Sequence, residues 1–276
     1  MRRLMVPREH GAWAMLSLPY ISGFLTAPAG ERGWARVVLG AAGMLSLFMA
    51  RAPLMRLAKQ RHRRGSFGAR AGDYWYSALV YLVLAAVFFI LVASLGEGWE
   101  LWQIASAAAL LAALQTLSAL ALGERSMTAE LTGVVLLALA APLGYYLAAG
   151  DGLWGVESVT LWAANATYYG ATVFNVKMKV ASMVTRRDSL GGREKLALAR
   201  ESITYATIAV PVWVALALTG KAPAAAPVVF TPMAAYVAWS AATMSSRLKL
   251  KTEGFTQLGL SLAFTAALIA VWRYGW

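Results

Sequence analysis

The sequence predicts an all-α integral membrane protein with nine transmembrane helices, arranged as two parallel four-helix halves plus a ninth helix. Hydrophobic residues make up 59% of the 276 residues and charged residues only 14%, whereas soluble domains contain about 25% charged residues. Several uncharged stretches reach roughly 18 residues or more, the length that crosses a hydrocarbon core of about 30 Å. A basic segment also occurs twice. We therefore expect a single membrane domain over residues 1–276.

Apolar length and helix-breaking residues together define the predicted spans. In chain order, the spans are 10–26, 33–50, 74–95, 101–122, 129–148, 156–174, 203–218, 228–244 and 255–274. Gly and Pro interrupt helices, and they mark the ends of several spans, at Pro28 and Gly30, Gly96 and Gly98, Gly150 and Gly152, and Gly220 and Pro223.

The distribution of Lys and Arg predicts the orientation of these spans. Cytosolic loops are enriched in basic residues. With a cytoplasmic N-terminus, the inner segments hold 21 Lys and Arg residues and the outer segments hold 4. This asymmetry favours nine crossings, with the N-terminus in the cytoplasm and the C-terminus outside the cell membrane.

The basic segment occurs at residues 55–70 and again at 178–193, with seven of the sixteen positions identical at a constant offset of 123. The two copies follow the second and sixth spans, which run in the same direction. This predicts parallel halves at about 1–123 and 124–246, with an extra helix at 254–275. Repeats of this kind are typically related by an axis along the membrane normal, and the binding site lies between them.

Basic residues of the two segments are candidates for binding an anionic head group. Arg56 and Arg63 lie seven residues apart and share a helical face, as do Lys179 and Arg186. Arginine binds phosphate bidentately, and lysine adds a point charge. The predicted substrate-binding residues are Arg51, Arg56, Arg63, Asn175, Lys177, Lys179 and Arg186. The alternative is that these are ordinary cytosolic segments, basic for orientation and for attraction to anionic lipid.

Three residues are candidates for acid–base chemistry, without any catalytic residue being identified. Glu9 and His10 lie at the entry of the first span, and Glu130 lies at the start of the fifth. The alternatives are that Glu9 complements the helix dipole and that Glu130 pairs with a loop arginine. In the sixth span, Asn165, Tyr169 and Thr172 share one face, which favours either hydrogen bonding between helices or the lining of a ligand site.

Several kinds of chemistry are disfavoured by residues that the sequence lacks. It has no Cys and two His, which excludes disulfides and a cysteine nucleophile. The loops lack the paired carboxylates that usually hold Mg²⁺ against a diphosphate. We therefore predict no metal and no cofactor. The formal charge of +12 is placed in loops at the membrane edge, which argues against nucleic acid as a partner.

The residues that open the first span, Pro7-Arg8-Glu9-His10-Gly11-Ala12-Trp13-Ala14-Met15, resemble the signature of the YwiC-like family of bacterial membrane proteins. The resemblance implies a multi-pass protein of the bacterial inner membrane, and it implies no particular reaction.

A more distant resemblance is to the UbiA superfamily of intramembrane prenyltransferases, which is similar in having nine helices, parallel halves and cytosol-facing motifs after helices two and six. In that superfamily the motifs are rich in aspartate and hold Mg²⁺ and a prenyl diphosphate. Here no Asp or Glu lies between Glu31 and Asp73, or between Tyr168 and Lys179. The resemblance implies the fold, and the departures count against metal-dependent prenyl transfer.

The first functional hypothesis is therefore a UbiA-like membrane protein that binds an anionic amphiphile, such as an isoprenyl diphosphate, at a basic cytosolic mouth. It includes a degenerate or metal-independent prenyltransferase. The alternatives are a transporter or lipid-handling protein of the same architecture, and an assembly partner of another membrane complex. The expected partners are anionic lipid or isoprenoid ligands and membrane lipids.

Overall fold

A computed structural model describes residues 4–7, 10–28, 33–96, 98–150, 152–184, 191–244 and 250–275. All regular secondary structure within these residues is helical, as the sequence predicts. The helices are α1 (His10–Thr26), α2 (Trp34–Arg64), α3 (Ala71–Ser94), α4 (Trp99–Ala121), α5 (Met127–Ala138), α6 (Ala140–Ala149), α7 (Val156–Val184), α8 (Gly192–Leu218), α9 (Ala226–Val229), α10 (Thr231–Ala242) and α11 (Leu250–Tyr274).

Two pairs of these helices are continuous rods with a local irregularity. The backbone passes through Leu139 between α5 and α6, where the Leu139 N–H donates to the Leu136 carbonyl and the Leu143 N–H donates to the Leu139 carbonyl. It passes in the same way through Phe230 between α9 and α10. The described residues therefore form nine rods, and each predicted span overlaps one of them.

Six rods in the described part of the chain are long and apolar enough to cross a membrane, judged by length and composition alone. They are Trp34–Arg63, Ala71–Ser94, Trp99–Ala121, Met127–Ala149, Gly192–Leu218 and Thr252–Tyr274. The rod Ala226–Ala242 is apolar but shorter. α1 has 17 residues, and α7 is long but carries many polar residues.

Helix boundaries differ most from the prediction at the basic segments. The predicted second span ends at residue 50, with the helix expected to continue into the basic segment, and α2 does continue to Arg64 and ends at Gly65, whose φ of 66° suits a glycine C-cap. The predicted seventh span starts at residue 203, but α8 starts at Gly192, where the Glu194 side chain accepts a hydrogen bond from the Gly191 N–H. Both extensions are rich in helix-favouring Lys, Arg, Leu and Ala, and their charged residues keep them out of a hydropathy-based span.

Contacts at the two ends of the bundle show that successive rods alternate in direction. The end at which α2, α4, α7 and α10 finish, and α3, α5, α8 and α11 begin, is called the basic end here. At this end Lys59 pairs with Glu124, and Lys195 Nζ donates to the Ala242 carbonyl at 2.9 Å. At the opposite end, Trp154 Nε1 donates to Gln103 Oε1 at 2.6 Å.

α6 forms the centre of the bundle, because every residue from Ala140 to Ala148 is buried. It packs closely on α1 through two glycines. A Cβ on Gly23 would lie within 3 Å of the Ala141 carbonyl, and a Cβ on Gly144 would lie within 3 Å of the Tyr20 carbonyl. Small residues let membrane helices approach closely, so the absence of these side chains sets the spacing of α1 and α6.

The outer helices expose large apolar side chains, as lipid-facing helices do. Examples on α3 and α4 are Leu79, Ile90, Trp102 and Leu110, each more than 60% exposed. α7 has the opposite character. It is buried over most of its length and contains the polar residues Asn165, Thr172, Asn175, Lys179 and Ser182 in its buried set.

Candidate functional site

The two basic segments come to the same turn of the chain at the basic end. In the first segment, Lys59 forms an ion pair with Glu124, which lies in the turn between α4 and α5. Immediately before the second segment, Lys177 Nζ donates to the Arg125 carbonyl at 2.6 Å and lies 3.2 Å from Glu130 Oε2. The turn between α4 and α5 is therefore in contact with both α2 and α7.

Three predicted binding residues, Arg51, Arg56 and Arg63, lie on α2. Arg56 donates to the Tyr74 hydroxyl at 3.5 Å, and its guanidinium lies 5.7 Å from the centre of the Tyr74 ring. Arg63 is exposed and Arg51 is half-buried. The described contacts of Arg56 are thus with α3, whereas those of Lys177 are with the α4–α5 corner.

Lys179 lies in a buried cluster that joins α7, α10 and α11. It forms an ion pair with Glu253 and donates to the Tyr236 hydroxyl at 2.7 Å. The Tyr236 hydroxyl donates to Glu253 Oε2 at 3.0 Å, and Gln257 Nε2 donates to Glu253 Oε1 at 2.9 Å. The side chain of Lys179 is 7% exposed and that of Glu253 11%. The positive charge of Lys179 is therefore matched inside the bundle.

Some of the remaining predicted residues lie wholly or partly outside what the structure describes, and the others lie on α5 and α7. Glu9 and Arg186 lie outside the described residues. His10 is the first residue of α1, and its side chain also lies outside the description. Glu130 lies in the first turn of α5 and pairs with Lys177. Asn175 is fully buried on α7.

A polar cavity of about 260 Å³ lies between α7 and α8, toward the basic end. Its walls include Lys177 from α7 and Arg200, Glu201 and Ser202 from α8. Arg200 and Glu201 are exposed, whereas Ser202 is 2% exposed and its hydroxyl has no hydrogen-bond partner among the described residues. The small residues Ala181 of α7 and Ala197 of α8 also line the cavity.

A larger apolar cavity of about 410 Å³ lies further along the same pair of helices. Its walls come from α5, α7 and α8 and include Val134, Trp162 and Tyr205. The Tyr205 ring contacts the ring of Phe174, which lines the polar cavity, at a centroid distance of 4.8 Å. The two cavities are thus neighbours on one groove, with this aromatic pair between them. We call this groove the α7–α8 groove.

The groove presents both kinds of surface that an amphiphile needs. Ligand sites are commonly concave, mostly apolar and furnished with a few polar groups, with volumes of roughly 300–1,000 Å³. Cationic side chains at one end suit an anionic head, and the apolar cavity suits a chain. Among the residues that the structure describes, no three His, Cys, Asp or Glu side chains are grouped so as to hold a metal ion.

The predicted site residues do not include Arg200, Ser202, Tyr236 or Glu253. Glu253 and Gln257 are four residues apart and share a helical face, so this polar pair at the start of the ninth span was a usable signal. Arg200 and Ser202 gave no comparable signal, because they lie before the predicted start of their span.

A comparison with known protein families matches the N-terminal half of this chain. The family model for YwiC-like proteins matches residues 6–145, from the entry of α1 to Tyr145 in α6, so α7 and α8 lie beyond the match. The chain matches no curated protein and no solved structure, and the UbiA-like arrangement therefore stays a prediction. Since the match spans just over half of the 276 residues, this membrane protein belongs to the YwiC-like family.

Proposed function

We propose that this protein binds an anionic amphiphile in the α7–α8 groove, with the head group at the polar cavity and the apolar chain in the neighbouring cavity. The observation that supports the proposal most directly is the adjacency of the two cavities on one helix pair, one containing Lys177 and Arg200 and the other Trp162. An isoprenyl diphosphate has this combination of a charged head and an apolar chain.

Arg200 is the strongest candidate for the head-group contact. It lines the polar cavity and is exposed, so an approaching phosphate meets its guanidinium without first breaking a buried contact. Lys177 Nζ lies 3.2 Å from Glu130 Oε2, so an anionic head group would compete with the Glu130 carboxylate for the Lys177 ammonium group. The Ser202 hydroxyl, unpartnered among the described residues, adds a hydrogen-bond donor.

The first basic segment has a supporting role in this proposal. Arg51, Arg56 and Arg63 belong to the same end of the bundle as the polar cavity, because Lys59 and Lys177 both contact the α4–α5 corner. Basic residues near a membrane surface attract anionic lipid by about 1 kcal/mol each. They therefore raise the local concentration of the ligand at the mouth of the groove.

Binding of farnesyl diphosphate to the purified protein in nanodiscs of neutral lipid tests the head-group site. We expect Arg200→Gln to weaken binding by about 10-fold or more, since a hydrogen bond to a charged group contributes about 1.5–3 kcal/mol. Arg193→Gln is the matched control, because Arg193 is exposed on the same helix and does not line the cavity. Equal affinities of the two variants would contradict the proposal.

The apolar cavity is tested by comparing two probes on one variant. Trp162→Ala should weaken the binding of farnesyl diphosphate and leave that of inorganic pyrophosphate unchanged, because only the former has a chain that reaches Trp162. A loss of affinity for pyrophosphate of the same size would show that the variant damages the fold, and unchanged affinity for both probes would place the chain elsewhere.

A further inference from the structure

A second polar region lies between α7 and α11, separate from the α7–α8 groove. Two contacts fix how these helices are aligned. Trp272 Nε1 donates to Thr160 Oγ1 at 3.3 Å, and Glu253 pairs with Lys179. From Thr160 to Lys179 is nineteen residues, and from Trp272 back to Glu253 is also nineteen. The helices therefore run antiparallel in a constant register.

This register places the amides of the buried Asn175 and the half-buried Gln257 at the same level. Asn175 lies four residues before Lys179, and Gln257 lies four residues after Glu253. Each is one helical turn, about 6 Å, from the ion pair, on its membrane-interior side. Asn175 also falls within the stripe of α7 that holds Lys179 and Tyr168, and Tyr168 contacts Ser261 of α11 at 3.5 Å. The two amides consequently face the same interhelical space.

These amides have hydrogen-bonding capacity that the described residues leave unused. Asn175 is 0% exposed, and neither its Nδ2 nor its Oδ1 has a partner among the residues that the structure describes. The same is true of Gln257 Oε1, whereas Gln257 Nε2 donates to Glu253. A buried polar group left without a hydrogen bond costs about 1–3 kcal/mol. Three such atoms at one level of one interface mark a position where a partner belongs.

The charges around this level define the partner as neutral. Lys179 and Glu253 compensate each other directly, and the Tyr236 hydroxyl completes the carboxylate's hydrogen bonds. A cation or anion added one turn away would introduce a charge with no counterpart among these groups. The groups without a hydrogen-bond partner among the described residues are one amide NH₂ donor and two carbonyl acceptors. A molecule bound here must therefore both donate and accept hydrogen bonds.

We infer that the space between Asn175 and Gln257 is a binding site for a small neutral group that donates and accepts hydrogen bonds. Water meets this description, as buried waters typically bridge two to four polar groups. The hydroxyl or amide of a neutral organic molecule meets it equally. The Lys179–Glu253–Tyr236 cluster closes the site on the side of the basic end.

An experimental structure that resolves ordered water tests the site directly. We expect density within hydrogen-bonding distance of the Asn175 and Gln257 amides. Native mass spectrometry of the same preparation distinguishes the two sources of that group, since an organic ligand adds a discrete mass and water does not. Absence of density between the two amides overturns the inference.

A stability comparison provides an independent result. Asn175→Leu removes the amide with little change in volume. If the site is occupied, the variant loses hydrogen bonds to the bound group, and its Tm should fall by about 4 °C or more. Thr172→Val is the matched control, because the Thr172 hydroxyl is already bonded to the Tyr169 carbonyl within α7. A Tm of Asn175→Leu equal to or above that of the unsubstituted protein would mean a dry site and overturn the inference.

Discussion

At the scale of the residue, the strongest electrostatic feature is an ion pair that the protein holds inside the bundle. Lys179 and Glu253 are 74 positions apart in the chain, and both side chains are almost inaccessible to solvent. Removing one partner of a buried pair leaves an uncompensated charge, which costs about 3–5 kcal/mol, whereas replacing both partners with apolar residues is often neutral. We therefore expect the pair to add little net stability compared with an apolar pair in the same place.

This difference leads to a testable ordering of variants. Glu253→Gln should lower the free energy of unfolding by about 3–5 kcal/mol, and the double variant Lys179→Met with Glu253→Gln should recover most of the loss. The measurement is thermal unfolding in detergent or nanodiscs.

The control for this prediction is the exposed pair of Lys59 and Glu124, whose side chains are 29% and 50% accessible. Lys59→Met should change stability by less than about 1 kcal/mol. A double variant as unstable as Glu253→Gln alone would show that the cluster acts through its hydrogen bonds and not through its charge balance.

At the scale of the element, the contact of α1 with α6 is reciprocal. Gly23 approaches Ala141, and Gly144 approaches Tyr20. Gly23 and Gly144 are 121 residues apart, as are Tyr20 and Ala141. A twofold axis produces reciprocal contacts of this kind, in which each helix contributes both the glycine and the residue that the glycine approaches. The repeated halves stay a prediction, and this pairing supports it.

Substituting these glycines tests how α1 and α6 are spaced. Gly23→Ala or Gly144→Ala should destabilise the protein by about 1–3 kcal/mol or more, because the added methyl meets backbone and the helices must separate. Gly259→Ala on α11 is the control, since a Cβ there meets no atom within 4 Å, and alanine favours the helix by up to about 1 kcal/mol. Equal unfolding temperatures for all three variants would show that α1 and α6 can move apart to accommodate a methyl group without a loss of stability.

At the scale of the whole molecule, the open question is which end of the bundle faces the cytoplasm. The excess of Lys and Arg at the basic end predicts that this end is cytoplasmic. The chain contains no cysteine, so single cysteines can be introduced into an otherwise unreactive background.

Labelling of intact cells with a membrane-impermeant thiol reagent tests this orientation. Ala69→Cys, exposed at the basic end, should react only after permeabilisation, whereas Ala224→Cys, exposed at the opposite end, should react in intact cells. The reverse pattern would place the basic end outside the cell and remove the cytosolic route to the α7–α8 groove.

Much of the fold followed from local properties of the chain. Hydropathy predicted the all-helical class and the position of the rods, since a membrane helix must be apolar over its own length. The predicted spans fell short of the helices by fourteen residues at the end of α2 and by eleven at the start of α8, because helices continue past the hydrocarbon, where hydropathy no longer reports on them. For the candidate site, sequence predicted Lys177, and it placed Lys179 and Asn175 in the same group.

The tertiary structure separated Lys177 from Lys179 and Asn175, because neighbouring positions on a helix face different partners. Lys177 lines the α7–α8 groove, Lys179 pairs with Glu253, and Asn175 is fully buried with no hydrogen-bond partner for its side chain among the described residues. The length of an apolar stretch and the distribution of Lys and Arg are local properties of the chain, so they can be read from the sequence alone. Which side chain meets which across the bundle depends on helix rotation and close approach at residues such as Gly23 and Gly144, and these are set only when all the helices pack together.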